Sequence, residues 1–199
     1  MPATEGEAAR KTYRRHRERL GHHPEVGDRR IAPVPFQVAV CGPRKCTEDE
    51  QSNAYRVGQL LAQRGVTVLC GGGTGVMAAV AAGVRSNNGM VIGIWPNGSH
   101  EGASPDLSAV IVTNMGEARN AVIVWSADAV IAIGGSWGTL SEIALANRRS
   151  GIPVISLGGW RVLDHENREV EGIDHVRTAE EAVARACPMH ESPGNGNQI

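Results

Sequence analysis

Two glycine-rich strings carry the residue types best suited to chemistry. The first is Cys70-Gly71-Gly72-Gly73-Thr74-Gly75-Val76-Met77. The second is Gly134-Gly135-Ser136-Trp137-Gly138-Thr139-Leu140-Ser141-Glu142. In each, an apolar run ends, glycines turn the chain and a segment of helical spacing begins. Glycine lets backbone come close to an anion, and a helix start supplies free N–H groups with the positive end of the helix dipole. The chemistry expected is therefore the binding of a phosphate-like group. One such loop is weak grounds, because close packing also selects glycine. Two in one small chain are much less readily accidental. Neither spacing is that of the dinucleotide fingerprint or of a P-loop. Thr139 and Glu142 also have the spacing of a capping box, so on the motif alone Glu142 either satisfies backbone donors or faces a ligand.

Composition narrows the chemistry further. Of 20 basic residues only Lys11 and Lys45 are lysines, and neither lies in a glycine loop. That excludes a P-loop and leaves no good Schiff-base lysine for a pyridoxal enzyme. The net charge of -1 argues against a general nucleic-acid binder. The cysteines Cys41, Cys46, Cys70 and Cys187 have neither disulfide-framework nor zinc spacing and read as free thiols. The seven histidines share no spacing, so no metal ligand is assigned. No apolar stretch is long enough to cross a bilayer and no signal-type segment opens the chain; a cytoplasmic location is expected.

The elements that must position the loops follow from the apolar pattern. Strands are predicted over 36–41, 66–70, 91–95, 109–113, 129–133 and 153–157. Helices are predicted over 48–64, 76–84, 117–125, 140–149 and 178–186. Strands without polar alternation, separated by helices, predict a mainly parallel sheet covered on both faces. The fold class is thus α/β, a single doubly wound Rossmann-like domain, with its ligand crevice beyond the carboxyl ends of the strands. Both glycine loops leave such ends. The domain is placed at 34–187. Residues 1–33 read as a basic, flexible arm and residues 188–199 as a disordered tail.

The stretch from Arg119 to Glu142 resembles the core of the Lonely Guy phosphoribohydrolases, a superfamily once mislabelled lysine decarboxylases. Their pattern is an arginine followed by Pro-Gly-Gly-x-Gly-Thr-x-x-Glu. Here it runs Arg119, then Gly134-Gly135-Ser136-Trp137-Gly138-Thr139, then Glu142, and the loop at 71–77 is similar to the family's other glycine loop. The likeness spans roughly residues 36–160. Gly134 stands where the family has proline, Ser136 where it has glycine, and Asn120 where lysine follows the arginine. These departures resemble the branch that includes molybdenum-cofactor carrier proteins.

The resemblance implies hydrolysis of the N-glycosidic bond of a nucleoside 5′-monophosphate. In that reading Arg119 grips phosphate or ribose and Glu142 stabilises the sugar cation or orients water. Gly71, Gly72, Gly73, Thr74, Gly75, Gly134, Gly135, Ser136, Trp137, Gly138 and Thr139 line the phosphate site. No cofactor is required. The alternative is a non-catalytic carrier with the molybdenum cofactor or another phosphorylated pterin as cargo. Asp106 and Glu117 read as solvated carboxylates rather than as a second catalytic acid. Trp95 and Trp137 either stack on a base or plug the fold. The partners expected are a small nucleotide or pterin phosphate and copies of the chain itself, as a dimer or tetramer, with no nucleic acid and no membrane.

Overall fold

The computed structural model describes residues 35–187. The basic arm read over 1–33 and the tail over 188–199 lie outside the described residues. Short runs rich in Val, Ile, Ala and Cys form seven strands: β1 Gln37–Cys41, β2 Thr67–Cys70, β3 Met90–Trp95, β4 Ala109–Val112, β5 Ala129–Ile133, β6 Val154–Leu157 and β7 Asp174–Val176. They make one sheet in the order β4-β3-β2-β1-β5-β6-β7, and every neighbouring pair is parallel. Around the centre, Val38 stands beside Val68 on one side and Ala129 on the other.

The helices are α1 Glu48–Gln63, α2 Val76–Arg85, α3 Arg119–Trp125, α4 Trp137–Arg149 and α5 Ala179–Ala186, with a 3-10 turn at Gly116–Ala118 leading into α3. Successive strand residues point to opposite faces, so one sheet yields two cores. Val38 and Val40 pack with Val57, Leu61, Val80 and Val183 of α1, α2 and α5. Ala39, Cys41, Val130 and Ala132 pack with Ile123, Val124, Ile143 and Ala146 of α3 and α4. Burial on both faces explains the unalternated strands. The predicted elements are all present within a few residues. The added strand is β7, whose Asp-His-Val sequence has neither length nor apolar character to announce it.

Thr47 caps α1 with a full capping box, its hydroxyl accepting from Glu50 N–H and the Glu50 carboxylate from Thr47 N–H. At the other end of α3, Arg149 Nη1 donates to the carbonyls of Val124 and Ala127. This ties α3 to α4 and fixes the two helices that carry the key side chains.

Candidate functional site

The sheet reverses its winding at β1, with β2 on one side and β5 on the other. Doubly wound sheets bind ligands at that switch point, beyond the strand carboxyl ends. A cavity of about 550 Å³ lies there. Gly42–Lys45 after β1 and Pro96 and Asn97 after β3 form its rim, with Gly135, Ser136, Gly138 and Thr139 opposite. Cys41, Gly71, Arg119, Asn120 and Glu142 complete the lining.

The second glycine string makes the turn from β5 into α4. Gly134 has φ +65°, a left-handed conformation suited to glycine. Ser136 is the N-cap: its hydroxyl accepts from Thr139 N–H at 3.2 Å. Leu140 N–H donates to the Ser136 carbonyl. The amides of Trp137 and Gly138 have no partner among the described residues. They open toward solvent at the positive end of a 13-residue helix. The helix therefore begins three residues before the predicted start at Leu140. Glu142 lies in its second turn, and the capping box with Thr139 is not formed. The polar side chain that caps is Ser136, which leaves Glu142 free for the cavity.

Arg119 opens α3 and meets Glu142 of α4. Arg119 Nη1 donates to Glu142 Oε1 at 3.1 Å and also to Asn120 Oδ1. Arg119 is 8% exposed and Glu142 6%. Burial pushes the Glu142 carboxyl above its ordinary range, while the Arg119 charge and hydrogen bond and the Cys41 thiol pull it back down. Burial, and then the charge of Glu142, hold the Cys41 thiol well above its usual value. Arg119 Nε is buried without a hydrogen-bond partner. An unpaired buried donor costs about 1–3 kcal/mol, which a ligand acceptor can relieve.

The first glycine string is placed differently. Gly71 lines the cavity, and a Cβ there would stand 2.6 Å from Arg119 Nη2. Gly72 and Gly73 pack toward Trp95, with Gly93 also close to Gly72. Thr74 Oγ1 donates to the Arg44 carbonyl, and Val76 N–H donates to the Pro43 carbonyl at 3.1 Å. Gly75, at φ +66°, leaves no room for a Cβ against those two carbonyls. This string thus seats the loop after β1 and brings Arg44 and Lys45 to the rim. Gly72, Gly73, Thr74 and Gly75 do not line the cavity, nor do Gly134 and Trp137.

Trp137 is 79% exposed and meets Trp160 edge-to-face at 5.2 Å. Trp160 also covers Gly135, where any Cβ would strike the indole. Trp95 is buried beneath the first glycine string, with Arg44 over its ring. Glu117 lines the cavity, whereas Asp106 borders a separate groove between α1 and α2. Lining residues missed from sequence include Cys41, Gly42–Lys45, Asn97 and Asn120. Gly42-Pro43 follows a strand end just as the glycine strings do, and that was the available signal. No cluster of three or more His, Cys, Asp or Glu suited to a metal occurs among the described residues. No described helix is long and apolar enough to cross a membrane.

A seven-stranded parallel sheet, a glycine turn into α4 and a buried arginine–glutamate pair at the switch point define a Rossmann-like protein of the Lonely Guy-like superfamily, in the branch that includes molybdenum-cofactor carriers. Within it, the chain belongs to the SLOG cluster4 family, which matches residues 35–186. An uncharacterized protein of Archaeoglobus fulgidus is 41% identical over 74% of this chain and 92% of its own length. The molybdenum cofactor binding protein of the phototrophic bacterium Rippkaea orientalis is 34% identical, with a TM-score of 0.69 over 76% of this chain and 95% of that one. A probable cytokinin riboside 5'-monophosphate phosphoribohydrolase of Oryza sativa subsp. japonica is 35% identical over 47% of this chain and 39% of its own length.

Proposed function

We propose that the protein binds a phosphorylated nucleotide-like small molecule in the switch-point cavity and hydrolyses its N-glycosidic bond. One observation carries the reading: the unbonded Gly138 amide at the start of α4 and the buried Arg119–Glu142 pair border the same cavity. The amides and dipole hold the phosphate. Arg44 and Lys45 add positive charge at the rim. Arg119, with Nε unpaired, takes a ribose or phosphate oxygen. Water adds to the anomeric carbon as the C–N bond breaks, its electron pair passes to the base nitrogen, and the base takes up a proton. Positive charge grows on the sugar meanwhile, and Glu142 offsets it. The likeness to the rice protein supports this chemistry.

The second reading is a carrier of a phosphorylated pterin, with the molybdenum cofactor as cargo. The likeness to the Rippkaea orientalis protein over almost its whole length favours it. It uses the same amides and leaves Glu142 as a partner that holds Arg119 in place.

One experiment separates the two. The full chain is incubated with AMP and the other nucleoside 5′-monophosphates, and free base is measured by chromatography. Released base that is lost in Glu142→Gln supports hydrolysis. No base from any monophosphate, with calorimetric binding of a pterin phosphate, establishes the carrier. Binding of neither class defeats the assignment of the cavity. We further propose that the chain works as a homo-oligomer in the cytoplasm, without nucleic acid.

A further inference from the structure

Beneath the cavity a line of hydrogen bonds runs from α3 to the start of α4. Arg119 Nη1 donates to Asn120 Oδ1, Asn120 Nδ2 donates to Ser141 Oγ at 2.8 Å, and the Ser141 hydroxyl donates to the Gly138 carbonyl at 2.8 Å. Asn120 is 6% exposed and lines the cavity. Both ends of its amide are used, the oxygen on a guanidinium and the nitrogen on a hydroxyl. A lysine has only donors and would face Arg119, while an aspartate has only acceptors and would turn the Ser141 hydroxyl away from Gly138.

We infer that Asn120 is a positioning residue that locks the Arg119–Glu142 pair to the anion-binding turn of α4, and so makes recognition depend on the ligand's phosphate. The inference rests on the proposed binding of a phosphorylated ligand in this cavity. Its physical basis is shared geometry. Arg119 Nη1 divides between Glu142 and Asn120, which fixes the rotation of the guanidinium. Ser141 holds the Gly138 carbonyl, one peptide beyond the open Gly138 N–H, and so restricts rotation of Gly138 at the anion-binding turn. Without the link, the Arg119–Glu142 pair is the polar tie left between α3 and α4 at the cavity, and the Gly138 turn loses its side-chain connection to the Arg119 guanidinium.

The test is calorimetry on wild type, Asn120→Ala, Ser141→Ala and the double variant. Each is titrated with AMP and adenosine, and with a pterin phosphate and the free pterin. Each single variant is expected to weaken the phosphorylated ligand about tenfold, the scale of one hydrogen bond to an anion. The unphosphorylated partner keeps its affinity, and the double variant is no weaker than the poorer single one, because both cut one chain. Ser141 is exposed, so Ser141→Ala tests the link even where Asn120→Ala does not fold. Equal losses for phosphorylated and unphosphorylated ligands, or additive losses in the double variant, overturn the inference, since they mark general loosening. Unchanged affinities against a wild type that binds overturn it alone. A wild type that binds none of the phosphorylated ligands overturns the site assignment as well.

Discussion

Glu142 and Arg119 form an ion pair whose two side chains are both buried. A buried ion pair is expensive to break from one side, because the remaining charge has no solvent. Arg119→Met is therefore expected to cost about 3–5 kcal/mol in chemical unfolding, and Arg119→Met/Glu142→Leu to recover most of it. Glu142 also predicts a pH dependence. Its carboxyl is raised above the ordinary 4.5, so the folded protein keeps a proton that the unfolded chain has already lost. The stability from that difference is full below 4.5 and is lost as pH rises through the raised value. Glu142→Gln does not titrate, so the stability of wild type relative to Glu142→Gln should fall with rising pH across that window. Paired urea unfolding curves from about pH 4 to 7 check this. The thiols make a simpler test. Cys41 and Cys70 are buried, with Cys70 pushed up to about 11, so both should resist alkylation at neutral pH while the protein is folded.

At the scale of elements, the glycines of the α4 turn divide into two kinds. A Cβ on Gly134 would run into the Glu50 carboxylate in a left-handed conformation, and Gly134→Ala should cost about 2 kcal/mol or more. Gly138 faces open space, with only Ser136 Oγ at 3.8 Å. Within the helix, alanine is better than glycine by about 1 kcal/mol. Gly138→Ala should raise the melting temperature while weakening the phosphorylated ligand, because its methyl enters the cavity. Thermal unfolding beside calorimetry measures both. A parallel loss of stability and affinity would refute the division. Gly75 serves the loop after β1 rather than the cavity directly, so Gly75→Ala should disturb Arg44 and Lys45 at the rim.

Among the described residues, one sheet buries two cores and leaves a crevice where its winding reverses. Apolar side chains also remain outside those cores: Met90, Ile111, Met115 and Trp125 are exposed on β3, β4, the segment after β4, and α3. These fit the expected oligomer, and light scattering at micromolar concentration should give at least a dimer. A monomer would remove that expectation and leave the cavity reading untouched.

The amino-acid sequence by itself determined the layers. Unbroken apolar runs such as Ala129–Ile133 have only one economical use, a strand covered on both faces, and the helices between them make the strands parallel. It also determined that the turn into α4 matters, since Gly134, Gly135 and Gly138 flank a strand end and a helix start. What it left open was decided by distance across the fold. Ser136 rather than Thr139 caps α4 because Ser136 takes the extended backbone of an N-cap while Thr139 is already helical, which spacing alone does not report. The first glycine string reads like an anion loop, yet its role depends on Pro43 and Arg44 crossing it from a segment about thirty residues earlier. Asn120 looks like an ordinary helix residue until α4 brings Ser141 to it. Local pattern fixes where backbone turns and which faces are apolar, whereas the pairing of buried polar groups is set by helices meeting in three dimensions.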